Sequence, residues 1–272
     1  KDMKLPACQN HLIEEVAKVQ PNLVVVLHNG SPVEAPWAEQ TAAILELYLG
    51  GQGVGEACDR LLYGQANPSG RLAESFPLRI EDNPSYLSFG GDGKKVDYTE
   101  GVYVGYRYYE TAAQDGYINY EETVQYPFGY GLSYTTFEQK MGELSADGDS
   151  ISVDVTVTNT GKVPGKEVVQ LYYTPPYTKG GIEKSHVVLA AFDKTDVLKP
   201  GESQTLTLSF MKEDMASYDY KDAKAYVLEK GDYAIKLMKN SHDVIDQRTY
   251  KVKETVVNRE SDLVEATNQF DD

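Results

Sequence analysis

Apolar positions change their spacing along this chain, and each spacing predicts a different element. Between Gln9 and Val19 they fall at Leu12, Ile13, Val16 and Ala17, the pattern of a helix with one buried stripe. Asn22-Leu-Val-Val-Val-Leu27 is a short, β-branched apolar run closed by the turn residues His28-Asn-Gly-Ser-Pro32. It predicts a buried parallel strand with a loop at its carboxyl end. From Pro36 helical spacing resumes through Trp37, Ala42, Ile44, Leu45, Leu47, Tyr48 and Leu49, until Gly50-Gly51 stops it. A further helix is expected from Gly53 to Tyr63. Helix, strand, helix, helix is α/β organisation with too few strands for a complete doubly wound sheet, so the rest of that sheet is expected upstream of Lys1.

Between Gly64 and Tyr134 glycine, proline and tyrosine break any sustained period. Such a stretch is long for a structureless connection in a compact domain, and segments of this kind are often functional. Beyond it the period becomes two. Ile151, Val153, Val155 and Val157 alternate with Ser152, Asp154, Thr156 and Thr158, and Asn159-Thr-Gly161 turns the chain. Similar strands are expected at Val168 to Tyr173, His186 to Phe192, Gln204 to Phe210 and Tyr233 to Leu237, separated by turns such as Lys199-Pro-Gly201. About seven short strands in roughly 110 residues predict an immunoglobulin-like sandwich. The fold class expected is therefore a partial α/β sandwich over residues 1–139, followed by an all-β sandwich over 140–253. The stretch from Glu254 to Asp272, polar and acidic with sparse apolar residues, reads as a linker or tail.

Composition narrows the function classes. The 272 residues are enough for two cores, and no apolar run approaches the roughly 20 residues of a membrane span. The excess of 42 acidic over 26 basic residues, a net charge of −16, repels phosphate backbones and anionic lipid heads, which argues against nucleic acid and membrane as partners. Cys8 and Cys58 are too far apart to suggest a zinc or disulfide framework. His11, His28, His186 and His242 show no ligand spacing, so neither a metal nor a cofactor is expected. Lys1 opens without an initiator Met or signal segment, which reads as a piece of something longer. Sparse cysteines and no visible signal lean towards a cytoplasmic location.

Four segments, in order, resemble glycoside hydrolase family 3. They are Val24-Val-Val-Leu-His-Asn-Gly-Ser-Pro-Val33; Gly50-Gly-Gln-Gly-Val-Gly55 with Leu62-Tyr-Gly-Gln-Ala-Asn-Pro-Ser-Gly-Arg-Leu72; Gly101-Val-Tyr-Val-Gly-Tyr-Arg-Tyr-Tyr109; and Tyr126-Pro-Phe-Gly-Tyr-Gly-Leu-Ser-Tyr-Thr-Thr-Phe137. Val157-Thr-Asn-Thr-Gly161 and Gly165-Lys-Glu-Val-Val-Gln-Leu-Tyr172 resemble the fibronectin type III-like domain that follows in that family. The resemblance, covering nearly all of Pro21 to Lys253, implies a β-glucosidase-like parent that hydrolyses a β-linked glucoside or oligosaccharide with retention, using two carboxylates about 5 Å apart. It places the nucleophilic Asp on an (α/β)₈ barrel absent from these residues. It places the acid/base Glu in a loop just before Lys1, with Asp2-Met-Lys-Leu-Pro6 resembling the residues after it. No catalytic residue is then expected in this chain, which would supply one wall of the active site and a buttressing sandwich and be inactive alone. Because residues follow the fibronectin-like part, an inverted domain order with the barrel last is favoured.

Candidate chemistry centres on Tyr98-Thr-Glu-Gly101 and the aromatic run after it. Glu100 could serve as an acid with a raised pKa beside tyrosine rings, but orienting a loop is the better reading, since any one carboxylate among 42 is usually a solvated charge. Tyr103, Tyr106, Tyr108 and Tyr109 surround Arg107, a composition suited to stacking on sugar faces. The alternation of Val102, Val104, Tyr106 and Tyr108 with Tyr103, Gly105, Arg107 and Tyr109 equally predicts a strand packed on one face, which is preferred. Glu100, Tyr103 and Arg107 remain the substrate-side candidates. His28, Asn29 and Ser31 follow a parallel strand, where open sheets bind ligands, but no Gly-x-Ser-x-Gly elbow supports a Ser/His hydrolase. Gly50 to Gly55 is expected to make a helix-to-helix turn and lacks the Lys-Ser/Thr of a phosphate loop. Two other readings stay open: a carbohydrate-binding or assembly module, and a β-xylosidase-like hydrolase of the same family. The truncated sheet exposes an edge and an apolar face, so a homodimer, or a retained partner segment, is also expected.

Overall fold

The computed structural model describes residues 2–91 and 93–258. The chain divides into two compact units, residues 1–136 with 161–166, and 137–160 with 167 onwards.

The first unit opens with helix α1 (Ala7–Val19), strand β1 (Val24–Leu27) and strand β2 (Ala43–Glu46), then helix α2 (Val54–Leu62). β1 and β2 pair in parallel, Val25 opposite Ile44, and Ala42 N–H to Leu23 O and Leu47 N–H to Leu27 O extend the ladder at both ends. The helix expected from Pro36 to Leu49 is thus corrected to a short 3₁₀ turn and a strand. Ala, Leu and Glu favour a helix locally, but the unpaired backbone of β1 supplies hydrogen bonds that outweigh that preference. Val25 and Leu27 face a small core with Val33, Ala35 and Trp37. Trp37 is fully buried, its indole N–H donating to Asn10 Oδ1 at 2.9 Å. Val24 and Val26, on the opposite face, are exposed.

After β2 the glycine-rich segment joins a strand to α2 rather than helix to helix. Gly51 takes φ 67°, and a side chain at Gly50 would meet Val54 Cγ2 at 2.7 Å, so glycine is required at both for different reasons. The region expected to be irregular holds β3 (Phe76–Pro77), helix α3 (Tyr106–Gln114) and β4 (Val124–Tyr126), with β3 and β4 paired antiparallel. The strand expected over 102–109 is corrected: Gly105 at φ 58° turns the chain into α3. Tyr109 then lies on the buried face of that helix against Tyr120 and Val124.

The second unit is a β-sandwich. One sheet has β5 (Phe137–Asp147), β6 (Ser150–Asn159) and β9 (Ser203–Met211) in that order; the other has β13 (Val244–Val252), β12 (Gly231–Met238), β7 (Val168–Thr174) and β8 (Val188–Lys194). Five of them, β6, β7, β8, β9 and β12, fall on segments expected to be strands, while spacing alone does not single out β5 and β13. The alternation in β6 holds, with Ile151, Val153, Val155 and Val157 buried against Leu206, Leu208 and Phe210 and against Leu171, Ile235 and Leu237 of the facing sheet. β7 is buried on both faces, and its second face is polar: Tyr172 O–H donates to Gln170 Oε1 at 2.8 Å, and Gln170 Nε2 donates to Lys239 O. A smaller sheet joins β10 (Ser217–Asp219), β11 (Ala225–Leu228) and β14 (Val256–Asn258). The tail expected from Glu254 therefore begins with a paired strand, because Val256 and Val257 can join the free edge of β11. Its remainder, residues 259–272, lies outside the described residues.

Candidate functional site

Parallel pairing brings the ends of β1 and β2 together, and with them the loops carrying His28, Asn29 and Ser31 and the residues Glu46 and Tyr48. Asn29 Nδ2 donates to Ser31 O at 2.7 Å and to Glu46 Oε2 at 3.1 Å, and Tyr48 N–H donates to Glu46 Oε1 at 2.8 Å. To make that contact Tyr48 adopts φ 47°, a left-handed conformation that strains a residue with a Cβ.

Electrostatically this is a carboxyl site with a shifted balance. Burial pushes the Glu46 carboxyl above the ordinary range, against the opposing effects of Tyr48 N–H, Asn29 and the His28 charge. Burial also raises Glu74, with the charge of Glu46 acting in the same direction and the Tyr48 hydroxyl opposing it. The Tyr48 hydroxyl is itself raised, first by burial and then by the charges of Glu74 and Glu46. It stands near enough to Glu74 for each to shift the other, yet short of good hydrogen-bond geometry, so it counts as buried and unsatisfied, as does Asn29 Oδ1. Glu46 and Tyr48 line one part of a groove of about 760 Å³ whose walls also carry Arg71, Phe76, Tyr126 and Tyr130. Such a mixture of aromatic surface with a few polar groups is what small polar ligands use.

Glu100 belongs to a different grouping. It is half-buried, its carbonyl accepts from Tyr103 N–H at 3.0 Å, and its charge, with that of Asp82, adds to burial in raising the Tyr109 hydroxyl. Tyr103 is half-buried in the turn before α3, and Arg107 is half-buried on α3 itself. The other rings of the run serve packing: Tyr106 stacks on Phe128 at 4.6 Å, and Tyr108 meets Tyr109 edge-on at 5.4 Å. Glu46, Tyr48 and Glu74 were missed by sequence reasoning. The signal that could have found them is the brevity of Ala43–Glu46 between Thr41 and the glycines, which fits a strand as well as a helix and would have put Glu46 at a strand's carboxyl end. Among the described residues no three His, Cys, Asp or Glu side chains group as metal ligands, and no helix is long and apolar enough to cross a membrane.

Residues 1–106 match the glycosyl hydrolase family 3 C-terminal domain, and residues 167–241 match a fibronectin type III-like domain. An α/β domain of that family followed by a fibronectin-like sandwich is therefore the class to which fold and sequence assign this chain. Thermostable β-glucosidase B of Acetivibrio thermocellus is 42% identical over 258 residues, 93% of this chain and 33% of that protein. β-Glucosidase A of Butyrivibrio fibrisolvens is 40% identical over 94% of this chain and 33% of its own length. The crystal structure of the Kluyveromyces marxianus β-glucosidase in complex with glucose superposes with a TM-score of 0.87 at 35% identity, covering 94% of this chain and 30% of that one. β-Glucosidase 3B of Thermotoga neapolitana, solved with α-D-glucose, gives 0.83 at 36% identity, over 93% of this chain and 35% of its own. The chain carries the family 3 C-terminal domain and the fibronectin-like domain, and over 93% of its length it is homologous to the C-terminal part of glycoside hydrolase family 3 β-glucosidases. It spans about a third of the length of the curated relatives it matches.

Proposed function

We propose that the full-length protein is a retaining β-glucosidase, and that this chain supplies one wall of its active site together with a buttressing sandwich. The observation that carries the reading is the continuous match, over 93% of this chain, to β-glucosidases of which it is one third. Retaining hydrolysis needs a nucleophilic carboxylate and an acid/base carboxyl about 5 Å apart on the two sides of the bond. In this reading both come from outside these residues, the Asp from a barrel and the Glu from a loop preceding Lys1. Glu100 orients the loop before α3, while Tyr103 and Arg107 present a ring edge and a cation to the sugar. Sugar hydroxyls are neutral, so a chain with a net charge of −16 does not repel them as it would a phosphate.

A positioned wall without a nucleophile cannot carry a double displacement, so the 272-residue chain is expected to be inert towards an aryl β-glucoside that the full-length protein cleaves. Side-by-side assays at equal molarity test this. Turnover by the isolated chain overturns the split-site reading, and a full-length protein that cleaves only aryl β-xylosides changes the sugar while leaving the mechanism.

A further inference from the structure

The segment between the 3₁₀ turn at Ile80–Asp82 and α3 is built in an unusual way. Its first limb, residues 83–91, is a run of tight turns. Asn83 Oδ1 accepts from Ser85 N–H and Oγ–H, Phe89 N–H donates to Ser85 O at 2.8 Å, and Gly91 N–H donates to Ser88 O at 3.1 Å. The second limb, residues 93–104, returns alongside it, tied by Thr99 Oγ1–H to Ser88 Oγ at 2.9 Å. Gly90 and Gly91 take φ 84° and 54°. A side chain at Gly91 would stand 1.9 Å from Lys95 O, so only glycine lets the limbs approach. The conformation of the described residues is thus specified by their own hydrogen bonds and glycines.

Those bonds hold the large apolar side chains outward. Leu87 and Tyr98 are each 92% exposed and Phe89 67%, with Val96, Val102 and Val104 also exposed. Scattered surface apolar residues are ordinary, but six large exposed ones within one locally ordered loop of about twenty residues make a candidate for an interface. We infer that these two limbs are the docking surface for the rest of the full-length polypeptide, the part that carries the nucleophile. The inference rests on the functional reading above and assigns to it a specific surface.

Two observations select that occupant. Relatives matching over 93% of this chain are about three times as long, so a covering domain in the same polypeptide is available at high effective concentration. A second copy instead brings another net charge of −16 to the contact, and an anionic lipid surface is repelled by the same charge.

Accessibility of single cysteines tests the assignment. With Cys8 and Cys58 replaced by Ser, Leu87→Cys and Tyr98→Cys are introduced singly into the 272-residue chain and into the full-length protein. Maleimide labelling of each site is then followed by peptide mass spectrometry and normalised to its rate in denaturant. Both positions are expected to react at least about tenfold more slowly in the full-length protein than in the chain alone, since a thiol's reaction follows its exposure. Equal rates overturn the proposal, even when the full-length protein cleaves aryl β-glucosides. Protection in a full-length protein that is inert upholds the docking surface and removes the functional reading instead. Slow labelling in the isolated chain that quickens on dilution assigns the limbs to a second copy and likewise overturns it.

Discussion

Single residues in this protein carry consequences that their neighbours in sequence do not announce. Glu46 and Glu74 have carboxyls raised above 4.5 chiefly by burial. The folded form therefore retains protons that the unfolded chain has released, and stability contributed by these sites falls as pH rises from 4.5 through their folded values. Glu74→Gln is expected to flatten that fall and to raise the melting temperature at pH 7. Fluorescence of Trp37, the only tryptophan and a residue of the first unit, provides the readout. An unchanged pH profile in the variant would remove Glu74 from the balance. In the second unit Asn159 is fully buried, and its Nδ2 donates to Leu198 O at 2.8 Å while its backbone bonds Glu202 and Gly201. Asn159→Ala leaves that carbonyl without its side-chain donor, and a loss of roughly 1–3 kcal/mol is expected in urea unfolding followed by far-ultraviolet circular dichroism. A loss below about 0.5 kcal/mol would mean that backbone pairing alone sustains the turn.

At the scale of elements, the stretch 161–166 illustrates how the chain closes on itself. It follows β6 in sequence yet packs within the first unit: Asn67 Nδ2 donates to Pro164 O at 3.0 Å, and Asn67 Oδ1 accepts from Ser133 Oγ and Tyr134 N–H. A Cβ at Gly161 would lie 2.1 Å from Thr135 Oγ1 and 2.7 Å from Thr136 N, so there is no room for one without moving backbone. Gly161→Ala is expected to destabilise by about 1–3 kcal/mol, the usual effect of overpacking. Its signature is a lowered Trp37 unfolding midpoint in a chemical melt; an unshifted midpoint would show that the 133–136 segment yields freely. The β1–β2 pair makes a related point. A parallel sheet is normally covered on both faces, yet Val24 and Val26 face outward beside the groove that holds Glu46 and Tyr48.

For the whole molecule, the proposed division of labour puts bond cleavage outside these residues and substrate contact partly within them. If Arg107 touches sugar in both ground and transition states, Arg107→Ala in the full-length protein raises KM by about tenfold with kcat little changed, the pattern of lost uniform binding. Steady-state kinetics on an aryl β-glucoside distinguish this from a structural role, which would leave KM alone and lower the melting temperature. Were kcat to fall with KM unchanged, Arg107 would instead be acting on the reacting centre.

Period-two alternation in β6 and β9, the apolar run of β1 and the helix α2 were legible in the sequence. Each depends only on which face of one element must leave water, and that is written into residue spacing. The family segments carried the functional reading; spacing alone would not have reached it. Ala43–Glu46 could not be decided locally, because helix propensity and strand pairing compete there, and the partner that settles the contest, β1, lies about twenty residues away. The same holds for Tyr106–Gln114, where a left-handed Gly105 turned an apparent strand into a helix. The Glu46, Tyr48 and Glu74 site also required tertiary structure, since Glu74 comes from a segment separate from Glu46 and Tyr48 and the charge balance is set by burial. Which side chains a chain must hide is a property of its sequence; which polar groups end up hidden together depends on how its elements meet.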